Sequence, residues 1–223
     1  MSDHSPSAQR ICAIAVGHFA EVGYDASSLT QIAAGAGMRK PSLYAHFSSK
    51  DALFLAVLTT ALEQERAFVD QCFTGEDADQ VPGESYCTQL VQRYRTSVHL
   101  RFLLRTVFAP PAAVHPVVHD GYTAFLARLE TLFRERLRVR TGSSGVAVSA
   151  EEDLVQAYLG IVDSLHVELV YATPAAAERR RRALWSMFTR EIVRHDRPEA
   201  MSASSEAGFP SAGTDRSSAM PRG

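Results

Sequence analysis

The sequence predicts an all-α protein. Nearly every periodic stretch of its 223 residues repeats apolar side chains at intervals of three and four. Strand-like alternation is missing. Helix starts marked by Ser, Thr or Pro and stops marked by Gly or Pro punctuate the chain.

The length is enough for one large domain or two small ones with a sizeable core. No run of eighteen apolar residues suggests a membrane span, and the opening MSDHSPSAQR does not read as a secretion signal. A cytoplasmic protein is expected. The three cysteines, Cys12, Cys72 and Cys87, match no zinc spacing and read as reduced thiols near helix cores.

The first helix is predicted from Ser7 to Val22, with Ile11, Ala15, Phe19 and Val22 as its apolar stripe and Gly23 as its stop. A second begins after Ser28, where Ser28 and Gln31 have capping-box spacing, and buries Ile32, Ala33 and Ala36. Gly37 makes a turn. A third runs from Lys40 to Phe47, with Pro41 in a first turn that has no intrahelical N–H bond to lose. Ser48 and Asp51 form another capping pair. They open a long helix through Leu53, Phe54, Val57, Leu58, Leu62, Phe68 and Val69 to Gly75.

Residues 75–83 read as a polar connecting loop. One long helix is expected from Glu84 through Tyr94 and Val98 to Val107, stopped by Pro110-Pro111. His115-Pro116 suggests a short element. Tyr122, Phe125, Leu126, Leu129, Phe133 and Leu137 mark an amphipathic helix. After a Gly/Ser loop, Ser149 and Glu152 have capping-box spacing ahead of a helix to Tyr171. Thr173-Pro174 caps a last helix to His195. Residues 197–223 are too polar to offset ordering entropy and are expected to be disordered.

The net charge is −2, yet residues 26–50 carry Arg39, Lys40 and Lys50 and no acid. Lys40 and Lys50 are the only lysines of the chain. A localised basic segment is the footprint of a nucleic-acid site. Its small residues Ala33 and Ala34, its Gly37 turn and the inward pair Leu43 and Phe47 have the pattern of a helix–turn–helix. That leaves Lys40, Ser42, Tyr44 and His46 to reach phosphates or base edges in a major groove. Lys50 suits a phosphate contact. Ser28 and Thr30 form a second set, because a helix N-terminus attracts phosphate.

The stretches FAEVGYDASSLTQIA and AGMRKPSLYAHFSSKDALF resemble the TetR family of bacterial transcriptional regulators. The resemblance covers about residues 8–58. It implies contacts to DNA from Ser28, Thr30, Arg39, Lys40, Pro41, Ser42, Tyr44, His46 and Lys50. Pro41 stands where many members have Gly or Ala, at a position that faces DNA in the family. The resemblance also implies an N-terminal three-helix DNA-binding domain at residues 7–54. A larger helical effector-binding and dimerisation domain would follow at 55–196. The last two long helices, about 149–172 and 174–195, would form a four-helix bundle with a second copy. Two recognition helices about 34–36 Å apart would then read a near-palindromic operator.

The second domain has no GxSxG, P-loop, GxGxxG, HExxH or CxxC motif, so no enzyme activity, cofactor or metal is expected. His115 and His119 have a metal-ligand spacing that Pro116 weakens. Asp163 and His166 lie three apart on an apolar helix, as a satisfied buried pair, an interface pair or a ligand contact. Tyr94, His99, Phe102, Phe108, Tyr122, Phe125, Tyr158 and Trp185 are candidates for a mostly apolar effector pocket. The expected function is a ligand-responsive regulator, usually a repressor in the family, released from its operator by effector. The alternative is a helical ligand-binding protein or enzyme with a vestigial helix–turn–helix.

Overall fold

The computed structural model describes residues 5–142 and 147–195. Every regular element among them is helical: α1 (Pro6–Ala26), α2 (Leu29–Gly35), α3 (Lys40–Tyr44), α4 (Lys50–Thr74), α5 (Glu84–Thr96), α6 (Val98–Phe108), a 3-10 turn (Ala112–Val114), α7 (His115–Thr141), α8 (Val148–Tyr171) and α9 (Pro174–His195). None of these helices is long and apolar enough to cross a membrane. The expected tail, 197–223, and most of the Gly/Ser loop lie outside the described residues.

Helix α1 starts at Pro6, with the Ala8 amide donating to the Ser5 hydroxyl at 3.3 Å. Ile11, Ala15 and Phe19 are buried as expected, but Val22 is exposed. Gly23 leaves the helix with φ +82°, and Tyr24 swings back to fill that end of the core. Its ring meets Phe54 edge-on at 5.2 Å and stacks over Phe19.

Helices α2 and α3 pack on each other, and α2 packs on α1. Ala33 and Ala36 are buried while Ala34 faces solvent, so Ala34 is not one of the small residues packed inside. The close approach to α1 is made by Gly35, where a Cβ would stand 2.9 Å from Ile14. Ser28 holds the N-cap position of α2 without a side-chain hydrogen bond, so the predicted capping box does not form. The cap of α4 is Ser49, not Ser48: its hydroxyl accepts from the Ala52 amide at 3.0 Å. Helix α3 ends at Tyr44, and Ser48 falls in the bend that turns Phe47 into the core.

Helix α4 packs against α1 and also against α6 and α7, tying the helix–turn–helix to the rest. Residues 75–83 form the connecting loop expected, but part of it is buried. Glu76 is buried and accepts from the amides of Gly83 and Ser85, each at 3.1 Å. A buried carboxylate needs such donors.

The single helix expected over 84–107 breaks at Ser97. Its hydroxyl accepts from the Leu100 amide and donates to Glu65, 2.9 Å away. Arg93 adds two bonds to the same carboxylate, at 3.2 and 2.9 Å. The break satisfies a buried acid that lies on another helix.

Helix α7 begins at His115 with Pro116 in its first turn, so the short element lies earlier, at 112–114. Ser149 does not cap α8, which starts at Val148 behind Ala147. Its first turn is instead anchored by ion pairs from Arg134 to Glu151 and Glu152, at 3.1 and 2.6 Å. Thr173 does cap α9, accepting from the Ala176 amide at 3.2 Å.

Candidate nucleic-acid interface

The short helix α3 is held from beneath and bare on top. Leu43 and Phe47 are buried, while Arg39, Lys40, Pro41, Ser42, Tyr44 and His46 are exposed. Arg39 is the extended N-cap residue, and Pro41 sits in the first turn. The Lys40 ammonium lies 5.9 Å from the centroid of the Tyr44 ring, a cation–π approach on the outer face. Thr30 is exposed and Ser28 half-buried at the start of α2. Apart from Ser28 and Lys50, the predicted contact residues are thus all open to solvent, with Ser28 at their margin.

Lys50 has a second occupation. Its Nζ donates to the Asp25 carbonyl at 3.2 Å and lies 4.3 Å from the Tyr24 ring centroid. Tyr24 in turn donates its hydroxyl to Asp51. Burial, with Asp51 beside it, pushes the Tyr24 phenol up to about 12, so it remains the donor. Residue-level pattern reading missed Tyr24 and gave Asp51 only a capping role. The available signal was an aromatic directly after a helix-breaking glycine, with an acid in the first turn of α4.

The effector candidates fall into separate groups. Phe102 packs on Phe19 and Phe54, at centroid distances of 6.0 and 5.3 Å, between α1, α4 and α6. His99 borders a groove of about 500 Å³ beside Cys12 and Val57. Phe108 meets Tyr171 at 6.1 Å, and Tyr94 is half-buried on α5. Tyr158 stacks on Phe133 at 4.6 Å, and Trp185 reaches this group through Phe188.

Tyr122 and Phe125 meet a buried polar chain instead. Tyr122 bonds Asp163 at 3.0 Å and His166 Nδ1 at 2.9 Å, and the Tyr86 hydroxyl lies 3.2 Å from His166 Nε2. Asp163 and His166 are therefore joined through Tyr122. The Tyr122 proton goes to the carboxylate, so His166 donates from Nδ1 and accepts from Tyr86 at Nε2.

Full burial lowers His166 to about 3. A histidine whose folded value lies below its unfolded value of about 6.5 supplies stability that is complete above the unfolded value. That stability is lost as pH falls toward 3. Asp163 is raised by burial, which acts in the opposite sense around the carboxylate range. The histidine contribution sets in as pH falls below about 6.5, and His99, also lowered by burial, adds to it. Urea unfolding is expected to show stability falling with acidification there, and His166→Phe is expected to flatten that slope.

His115 and His119 are exposed on α7 with ring centroids 6.4 Å apart. Among the described residues, no three His, Cys, Asp or Glu side chains gather as a metal site. Near the C-terminal end of the described chain, α8 and α9 form an open groove of about 720 Å³. Ala150, Ala157, Gly160, Ser164, Leu184 and Met187 line it.

A helical molecule with a tight helix–turn–helix, its second helix presenting cations and hydrogen-bond donors outward, is a DNA-binding protein of the regulator class. Residues 11–57 match the bacterial regulatory proteins of the tetR family. A TetR-family protein from Mesorhizobium loti has the same fold with a TM-score of 0.65 at 18% identity, over 85% of this chain and 98% of that one. A TetR-family transcriptional regulator from Streptomyces coelicolor superposes with a TM-score of 0.61 at 22% identity, over 87% and 98%. A transcriptional regulator from Aquifex aeolicus gives 0.59 at 19%, over 81% and 99%. Residues 11–57 thus carry the tetR family's sequence signature, and the chain as a whole shares the fold of these structures.

Proposed function

We propose that this regulator is a ligand-responsive repressor. It binds a near-palindromic operator as a homodimer through α8 and α9, and a small, mostly apolar effector releases it. Residues 7–54 read DNA and residues 55–196 bind effector and partner. The observation that carries this reading is the exposed donor set of α3 on its buried anchors, in a segment without a carboxylate. Lys40, Ser42, Tyr44 and His46 reach base edges or nearby phosphates, while Ser28, Thr30 and Lys50 fix position on the backbone. The effector acts by preferring the conformer whose recognition helices are wrongly spaced.

The test is anisotropy with duplexes selected by the full chain from a randomised pool. Tyr44 is 46% exposed, so Tyr44→Ala leaves the helical circular dichroism intact. Affinity for the selected duplex is expected to fall about tenfold, the scale of one good base contact. A wild type that selects no duplex, or a Tyr44→Ala variant that binds as tightly as wild type, refutes the reading.

A further inference from the structure

We propose that Arg105, on α6, is a positioning residue for DNA reading. Its guanidinium grips the broken end of α1, sets the angle at which the helix–turn–helix stands on the rest of the molecule, and thereby sets the half-site spacing the protein accepts. The spacing part rests on the function proposed above.

At Gly23 a φ of +82° interrupts α1 and releases carbonyls of the last turn from their intrahelical partners. Arg105 Nη1 donates to one of them, the Glu21 carbonyl, at 3.1 Å. The guanidinium lies flat enough on the break that a Cβ at Gly23 would stand 3.3 Å from Nη2 and 3.4 Å from Nε. A cation at a helix C-terminus is also favoured by the helix dipole. Arg101, one turn earlier on α6, treats the end of α5 similarly, donating to the Tyr94 and Arg95 carbonyls at 3.1 and 3.0 Å.

Beyond the break, the chain is tied to α4 by the Tyr24–Asp51 bond and by Lys50 on the Asp25 carbonyl. Arg105 therefore meets the seam where α1 hands over to the helices that read DNA. The same seam holds the Phe19, Phe54 and Phe102 rings. Apolar contact of that kind is non-directional and holds the parts together without choosing a rotation. A planar guanidinium donating to a fixed carbonyl does choose one. Arg105 is exposed, and a single exposed hydrogen bond adds little to stability. Its loss changes the angle more than the fold.

The experiment uses the full chain with spin labels at Ala34→Cys and Glu135→Cys, both exposed sites. The native thiols are buried. Burial pushes Cys12 and Cys72 up to about 11 and Cys87 further still, so the introduced cysteines react first. Arg105→Ala is expected to broaden the distance distribution between the two labels, while Arg105→Lys, which keeps a cationic donor, broadens it less. On duplexes selected by the wild type, one base pair inserted between half-sites, about 3.4 Å, is expected to cost the wild type about tenfold in affinity. The same insertion is expected to cost Arg105→Ala about threefold or less, with an unchanged salt slope because no phosphate contact is removed. An unchanged distance distribution overturns the role of Arg105. A broadened distribution with unaltered spacing preference overturns the link to spacing. A wild type that selects no duplex overturns the reading of function and the spacing part with it, while the distance measurement still decides whether Arg105 holds the helix–turn–helix.

Discussion

Gly160→Arg is expected to leave the chain folded but monomeric. Gly160 lies on α8 in the open groove against α9, and a Cβ built there meets nothing within 4 Å. The single chain therefore has room for a side chain, and replacing a mid-helix glycine adds up to about 1 kcal/mol of helix propensity. In the proposed dimer, a second copy packed on this face would not have that room. Ala157, Gly160 and Ser164 let helices approach closely, and an isologous contact brings each substitution in twice. Sedimentation equilibrium is expected to give the mass of one chain, with thermal stability of that chain intact. Affinity for a full palindrome is expected to fall on the order of a hundredfold, because the two recognition helices no longer bind as a linked pair. A variant that stays dimeric at micromolar concentration rules out α8 and α9 as the interface.

Glu65→Ala is expected to cost about 3 kcal/mol of stability. The Glu65 side chain is 2% exposed and accepts three hydrogen bonds, two from Arg93 and one from Ser97. Its removal leaves the buried Ser97 hydroxyl without that acceptor and Arg93 without its counter-charge. Arg93 also rests over the Phe68 ring, 4.4 Å from its centroid, and retains access to water, which keeps the loss at the lower end of the range for a broken buried pair. For a domain of this size the melting temperature is expected to drop by about 6–12 °C. Glu65→Gln keeps an oxygen acceptor and is expected to cost less. Equal losses for the two variants in a thermal melt would show that side-chain volume, not the carboxylate, is what Glu65 supplies.

The helix–turn–helix was legible because its determinants are close in sequence. Gly37, Pro41, Leu43 and Phe47 lie within about a dozen residues, and each acts on its own turn or helix. Leu43 and Phe47 are buried and the residues between them exposed, as their spacing requires. Capping was less legible, because neighbouring serines compete. Ser49 displaced Ser48 by one position, and Ser149 falls inside α8, which starts at Val148. The aromatic candidates were legible as apolar but not as a group, since composition does not say which helix faces meet. Phe102 turned toward Phe19 and Phe54, whereas Tyr158 stacked on Phe133.

The all-helical class, most helix limits and the outward basic face of α3 follow from periodicity and local backbone chemistry, so the order of residues was enough to specify them. The break at Ser97, the burial of Glu76, the tautomer of His166 and the seat of Arg105 on α1 came instead from the packing of one element on another. Each depends on a polar group supplied from elsewhere in the chain. Buried donors and acceptors must find partners wherever the fold brings them, and no local pattern records that meeting.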